Sequence, residues 1–537
     1  MNSFFYIFRN LYLRPLIRNN VFKDTIIDIP SLEYLNDNHQ YLSVFSNDDK
    51  LKYNINIRLI FTKNNTSQLD QFRNNRHKHL INEIELQISG LEVIDFSIVH
   101  DQVHRFSFYL EEKTKRINGK LPDSIIELNI GANPISNFVC LPLEEILLDL
   151  PKNLQILKLS DRFKLSSCST SKIQLPNSII ALDYRSKSAD LDRFITTPPN
   201  KVLKGACLKV LNDGDFHWVQ DKQWLDSLYI EMEVPSQIPA HIKKINFFTS
   251  SFGSVDAVIE LLPSQLEWLD ASRLTSHLNI PIQNLFIQYL PSLKHLNLMK
   301  WPFDKALFPE TLESLKIFGF NNVLYPGALP PNLKTLDLSK FNQQLEIGSL
   351  PNSVTNLSLD SYNQPLRAFV LPTQLKRLSL FNFTNNIEPN SLPLSLKRLY
   401  LNNFDGSFEH LGKLHNLREL SVFTINQSMV DALANTKKIK INFKTIQGNT
   451  TLANTSITDL SLENSNRDIS IIPRYFLPLC VGKLELTNLD IRSIDTIPPS
   501  CVYFKYTYKQ LNTDLIPKSI KNIYLQAQHP ILFKYTK

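Results

Sequence analysis

The sequence predicts an α/β repeat solenoid, in which short strands stack side by side into a parallel sheet and the chain returns along the other side. Three observations carry that prediction. A pattern of three apolar residues spaced three and then two apart returns along most of the 537-residue chain, at spacings from 17 to 29 residues. A leucine–proline pair precedes its clearest copies. An aromatic residue follows each of those copies at a constant interval.

The clearest copies run from Leu329 to Leu401. They read LPPNLKTLDL, LPNSVTNLSL, LPTQLKRLSL and LPLSLKRLYL, with leading leucines Leu329, Leu350, Leu371 and Leu392 spaced 21 apart. Within one copy, Leu333-x-x-Leu336-x-Leu338, the last two leucines are two apart and share one face of a strand. The residues between them point to the opposite face. A single turn cannot bury three leucines, but stacked turns join them into a continuous core. Weaker copies extend the frame upstream through Leu312, Leu293, Ile242, Leu225, Ile179, Leu154, Ile125 and Val103 to Ile81, and downstream through Ile457 and Val481 to Ile520. The count is about 21 turns of about 21–22 residues. This period and signature predict a leucine-rich-repeat-type solenoid with a parallel concave sheet. Strands at about 4.8 Å would give an inner arc of about 100 Å. The copies become irregular near 185–237 and 424–450.

The proline fixes φ and holds the residue before it extended, which suits a chain running toward a strand. Trp301, Phe320, Phe341, Tyr362, Phe383 and Phe404 each lie eight residues after the first leucine of their unit. That column predicts an aromatic spine at the turn leaving each strand, stacked in the core.

Phe341-Asn342-Gln343-Gln344-Leu345 and Tyr362-Asn363-Gln364-Pro365-Leu366 each precede a leucine–proline unit. The motif F-N-x-P-[I/L] followed by L-P-x-x-L-x-x-L-x-L resembles the FNIP repeat, a leucine-rich-repeat variant abundant in social amoebae. The best copies cover about residues 305–405; Phe404-Asp405-Gly406 and Phe320-Asn321-Asn322 keep only part of the motif. The resemblance implies a protein-interaction solenoid and carries over no catalytic residues.

Two regions follow: residues 1–80, a small, mainly helical N-terminal segment, and residues 81–530, the solenoid. The first either caps the open end of the solenoid or docks onto a scaffold as a diverged F-box. Residues 1–23 hold Arg9, Arg14, Arg18 and Lys23 with apolar residues at helical spacing; a first helix and a transit peptide both look like this. Leu141-Pro142-Leu143-Glu144-Glu145-Ile146-Leu147 resembles an F-box opening but sits within the repeat frame, and is expected to be a convex helix.

Composition narrows the function. Apolar residues make up 43% and charged residues 20%, which excludes a disordered chain. No apolar run reaches the length of a membrane span. Five cysteines, Cys140, Cys168, Cys207, Cys480 and Cys501, include no C-x-x-C pair, so neither a disulfide framework nor a zinc site is expected. A reducing, cytoplasmic setting is expected. Gly406 to Gly412-Lys413 misses the phosphate-loop pattern by one residue and lacks the following Ser or Thr. His77-Lys78-His79 has no neighbouring acid or cysteine and reads as a solvated linker. Catalytic residues, metal ligands and cofactors are not expected.

The frame also assigns the exposed strand positions. Between Leu225 and Leu417 they include Lys244, Lys316, Arg377 and Arg398 against Glu231, Asp270, Asp337, Asp360 and Glu419. A nucleic-acid groove would be one-sidedly positive, so no nucleic-acid partner is expected. The same positions carry Trp268, His295, Phe318, Phe381 and Tyr400. Exposed aromatics and arginines on a rigid sheet suit protein anchoring. Trp268, His295, Lys316, Phe318, Arg377, Phe381, Arg398 and Tyr400 are therefore the expected partner-binding residues. The expected function is a non-enzymatic protein–protein interaction scaffold. The alternative is a substrate-recruiting adaptor of a ubiquitin ligase.

Overall fold

The computed structural model describes residues 13–525, apart from 63–66, 133–140, 168–170, 200, 235–236, 249–257, 275–284, 301–307, 410, 467–469 and 508–511. Two compact units, Met1–Met232 and Glu233–Lys537, make up the chain. Both are built from one element.

That element begins at the leucine–proline pair. The Pro330 carbonyl accepts a hydrogen bond from the Leu333 N–H at 3.3 Å, and Pro351, Pro372 and Pro393 do the same for Val354, Leu375 and Leu396 at 3.1 Å each. The proline opens a four-residue turn, where its carbonyl is needed and its missing N–H is not. A strand of three or four residues follows, such as Thr335–Asp337 or Arg398–Leu401. Leu333, Leu336 and Leu338 are fully buried, and so are their equivalents in neighbouring turns. The residue two places after the proline ties each turn to the one before it. Ser353 Oγ donates to the Leu333 carbonyl at 2.7 Å, Ser395 Oγ to Leu375 at 2.7 Å and Thr311 Oγ1 to Leu293 at 2.8 Å.

In the large sheet nine strands of the first unit pair in parallel among the described residues, from Ile26–Ile29 to Leu225–Ile230. In the second, fourteen do so, from Lys244–Phe247 to Asn522–Leu525. This is a leucine-rich-repeat-type solenoid sheet, with more strands than the sequence frame counts.

The difference starts at the N-terminus. The frame places the first turn at Ile81, but the ladder already contains Ile26–Ile29 and Asn56–Thr62, and the latter pairs with Glu83–Gln87. Helices Leu13–Val21, Leu32–Leu42, Asn47–Lys52 and Gln68–Arg73 surround these two strands. Asn56 occupies the place of the first leucine in its turn, which hides the pattern. A buried polar residue beside that place in the next turn is satisfied rather than excluded. Buried Asn82 accepts from the Ile57 N–H at 2.7 Å and donates to the Ile55 carbonyl at 3.0 Å, stitching adjacent turns.

The irregular stretches keep pairing within their units. Leu203–Val210 joins Ala181–Ser186 to Leu225–Ile230 through register shifts, with Gly205 at φ +85° close against the Asp183 backbone. Here Ala206 faces Tyr184, and Leu208 takes the place opposite the middle leucine Leu228. Lys438–Phe443 likewise joins Glu419–Val422 to Asp459–Asn464. Leu141–Leu148 is a helix, as its place in the frame requires.

The aromatic column forms a stack. Ring centroids lie 6.0 Å apart from Phe320 to Phe341, 6.2 Å from Phe341 to Tyr362 and 6.3 Å from Tyr362 to Phe383, with interplanar angles of 3°, 5° and 7°. Phe404 continues it at 5.8 Å, tilted by 30°. All five rings are buried; Trp301 lies outside the described residues. Beside the stack runs a second ladder. Asn321 Oδ1 accepts from the Asn342 N–H at 2.7 Å, Asn342 Oδ1 from the Asn363 N–H at 2.8 Å and Asn363 Oδ1 from the Thr384 N–H at 2.9 Å. The phenylalanine–asparagine dipeptide thus does two jobs. The ring fills the core, and the amide beside it captures the next turn's backbone donor.

Two outcomes follow. Asn342→Ala leaves the Asn363 N–H without its acceptor, at a local cost of about 1–3 kcal/mol. Amide exchange at Asn363 should accelerate about 5- to 150-fold, while exchange at Ile57 is unchanged. The second concerns acid. Burial pushes the pKa of His100 and of His104 down to about 4; unfolded, each titrates near 6.5. Between these values the unfolded chain binds protons that the folded chain refuses, so stability should fall as pH drops from about 6.5 to about 4. Exchange within Arg105–Leu110 should report that slope, and His100→Gln with His104→Gln should flatten it.

Candidate functional site

Six of the eight residues expected from the frame lie on the outward face of the second unit's strands, and Phe318 and Phe381 lie in the turns just after theirs. They do not form one cluster. Trp268 and His295 lie opposite each other on adjacent strands, with ring centroids 4.6 Å apart. Partial burial lowers the His295 pKa, which favours the uncharged imidazole beside Trp268 at neutral pH. Lys316 Nζ pairs with Asp337 at 2.8 Å and sits 4.6 Å from the Phe318 ring centroid.

The second cluster is separated from the Trp268–His295 pair by the strands Ser314–Ile317, which carries Lys316, Thr335–Asp337 and Asn356–Ser358. Arg377 and Arg398 are register partners, as are Ser379 and Tyr400. The Arg377 guanidinium lies 5.1 Å from the Tyr400 ring centroid, a cation–π contact. Tyr400 donates its hydroxyl to Glu419. Burial, with the Glu419 carboxylate second, raises the phenol's pKa, so Tyr400 stays a neutral donor. Phe381 is 45% exposed with no aromatic or cationic cover given by the residues described.

The frame overlooked a neighbouring column. The Lys397 N–H donates to the Lys376 carbonyl and the Arg418 N–H to the Lys397 carbonyl, so Lys376, Lys397 and Arg418 stack on three successive turns. All three are exposed. Their signal was present in the repeated lysine–arginine pair of LKRLSL and LKRLYL, which places one cation inside the strand and one just ahead of it.

The decoys resolve in simple chemistry. Lys413 Nζ donates to the Asp431 carbonyl at 2.9 Å, which ties a turn where a phosphate loop would keep its lysine free. His77 stacks on His39 at 4.0 Å and accepts from Arg76 Nε at 2.9 Å. Among the described residues no group of three His, Cys, Asp or Glu side chains is placed to hold a metal ion. Among them, too, no helix is long and apolar enough to cross a membrane. Cys207, Cys480 and Cys501 are free thiols, while Cys140 and Cys168 lie outside the described residues. Burial raises Cys207 to about 12 and Cys501 to about 11, far from a nucleophilic thiolate at neutral pH.

Residues 341–383 match the family model of the FNIP repeat. No curated protein matches the chain. Among solved structures, the chain is similar to CroV588, described as a novel circular LRR protein, at 16% identity over 87% of this chain and 79% of that one, with a TM-score of 0.41. It is also similar to TLR13 in its complex with ssRNA13, at 16% identity over 86% and 76%, TM-score 0.37. YopM from Yersinia enterocolitica WA-314 matches at 16% identity over 86% and 93%, TM-score 0.29.

The thiol environments give a direct check. A water-soluble thiol reagent at neutral pH should modify exposed Cys480 and leave Cys207 and Cys501 untouched until the chain is denatured, read by peptide mass spectrometry.

Proposed function

We propose that this chain is a non-enzymatic scaffold that binds a protein partner on the exposed face of its second-unit sheet, centred on Arg377, Phe381, Arg398 and Tyr400. One observation carries the reading. Exposed Phe381 and a half-buried, cation-braced Tyr400 stand beside stacked arginines, on turns whose opposite face is fully buried leucine. Such a surface is held rigid before any partner arrives, so little ordering free energy is spent on binding. Aromatic and arginine side chains in that setting serve as anchors. Trp268, His295, Lys316 and Phe318 form an outlying part of the same face and extend the contact. No nucleic acid is needed by this reading, since acids and bases alternate over most of the face.

Residues 1–80 serve in this reading as a cap. Support comes from their two strands in the ladder and from Leu32, Leu35 and Leu42, which one helix buries. A surface shaped for an external scaffold would keep such leucines outward.

The test is a comparison of captured partners. Phe381→Ala with Tyr400→Ala should cut recovery of the partner at least about tenfold, about 1.4 kcal/mol or more, with the circular dichroism spectrum unchanged. Equal recovery by the variant and the parent chain would overturn the assignment of this face. Loss of ubiquitin-ligase components on deleting residues 1–80 would overturn the cap.

A further inference from the structure

We propose that the cationic patch formed by Lys376, Arg377, Lys397, Arg398 and Arg418 is a binding site for a short acidic segment of a protein partner, an extended stretch carrying several carboxylates beside an apolar residue. This rests on the interaction-scaffold reading above and names the partner's chemistry.

The argument is one of charge matching. On both sides of the patch and over much of the first unit, charge is neutralised across neighbouring strands. In the first unit Asp28 pairs with Arg58 at 2.7 Å and Arg58 with Glu83 at 3.6 Å. Arg105 then pairs with Glu127 at 3.4 Å and Glu127 with Lys158 at 2.7 Å. The second unit follows the same rule on both sides of the patch. Lys334 pairs with Glu313 at 2.9 Å and Lys316 with Asp337 at 2.8 Å. Lys438 pairs with Asp459 at 3.1 Å and Lys440 with Glu463 at 2.8 Å.

The rule fails on three successive turns. Lys376, Arg377, Lys397, Arg398 and Arg418 are all exposed, and none forms an ion pair with a described carboxylate. Two acids on that face, Glu419 in register with Arg398 and Asp360, keep their charge but form no ion pair with the patch, so five cations face two carboxylates. Glu419 accepts from the Tyr400 hydroxyl, and Asp360 accepts from Ser379 at 2.6 Å and Ser358 at 3.2 Å. Five like charges stacked at strand spacing repel one another, and a bound polyanion relieves that repulsion.

The size of the patch selects the ligand. Three strands about 4.8 Å apart span about 10 Å, the reach of about three residues of extended chain. Matched pairs close it on both sides, so a nucleic-acid backbone would find positive charge for only a short stretch and then carboxylates. Phe381 and Tyr400 border the cations and offer apolar contact, which an acidic peptide with an aromatic or aliphatic residue can use.

The test uses the full chain and a short fluorescein-labelled peptide in which glutamates flank one phenylalanine, read by fluorescence anisotropy. A serine-for-glutamate peptide and a single-stranded oligouridylate of equal charge are the comparators. The expected result is binding to the glutamate peptide that weakens at least about tenfold with Arg377→Glu plus Arg398→Glu and that weakens as salt is raised. Lys115→Glu in the first unit should leave it unchanged. Equal binding of glutamate and serine peptides, tighter binding of the oligouridylate, or indifference to the arginine reversals would each overturn the proposal. If the peptide fails while Phe381→Ala with Tyr400→Ala still abolishes partner capture, the scaffold reading stands and the acidic-segment reading falls.

Discussion

Everything in this protein depends on the in-register stacking of equivalent residues from one turn to the next. Parallel strands pair backbone to backbone, and that pairing aligns each side chain with its counterpart a turn away. Leucine therefore meets leucine, aromatic meets aromatic, and amide meets backbone donor. No residue in the regular turns acts alone. The three leucines, the ring and the asparagine of a turn become useful only when the next turn supplies their partners.

The same alignment gives the exposed face its logic. A charge placed on one strand lies about 4.8 Å from whatever occupies that place on the next. Alternating signs stabilise such a row and like signs burden it. The first unit's row of Asp28, Arg58, Glu83, Arg105 and Glu127 shows the alternating solution in full. The rows through Arg377 and Arg398 and through Lys376, Lys397 and Arg418 depart from it. In a fold held by repetition, a local break in a repeated rule marks a place where the surface faces something other than itself.

The regular turns also explain what the FNIP motif is for. Phe341, Tyr362 and Phe383 stack nearly parallel because their period is constant. Their neighbouring asparagines, Asn342 and Asn363, satisfy backbone donors where the chain leaves the strand. The serine, threonine or asparagine two places after the proline does the converse at the strand's entry, donating to a backbone carbonyl of the turn before. Core packing and donor accounting are thus solved by adjacent residues of one short motif. That economy is why helices are few here: the return segments need no helix to satisfy their backbone.

The sequence by itself determined the repeat, its period, the buried leucines and the aromatic spine, because each follows from a spacing along the chain. It also placed Arg377, Phe381, Arg398 and Tyr400 on the exposed side, since alternation along a strand is a local property. Tertiary structure decided the rest. The ladder's start at Ile26 was hidden because Asn56 holds a leucine's place, and the ladder's neighbours, not its own sequence, hold that strand in register. Which cations are neutralised was hidden too. Lys316 and Arg377 both lie on the outward face, at different places in their turns, and only Lys316 has a carboxylate, Asp337, opposite it on the adjoining strand. Pairing of that kind depends on residues a full turn away and on where long side chains reach, and no periodicity along the chain records it.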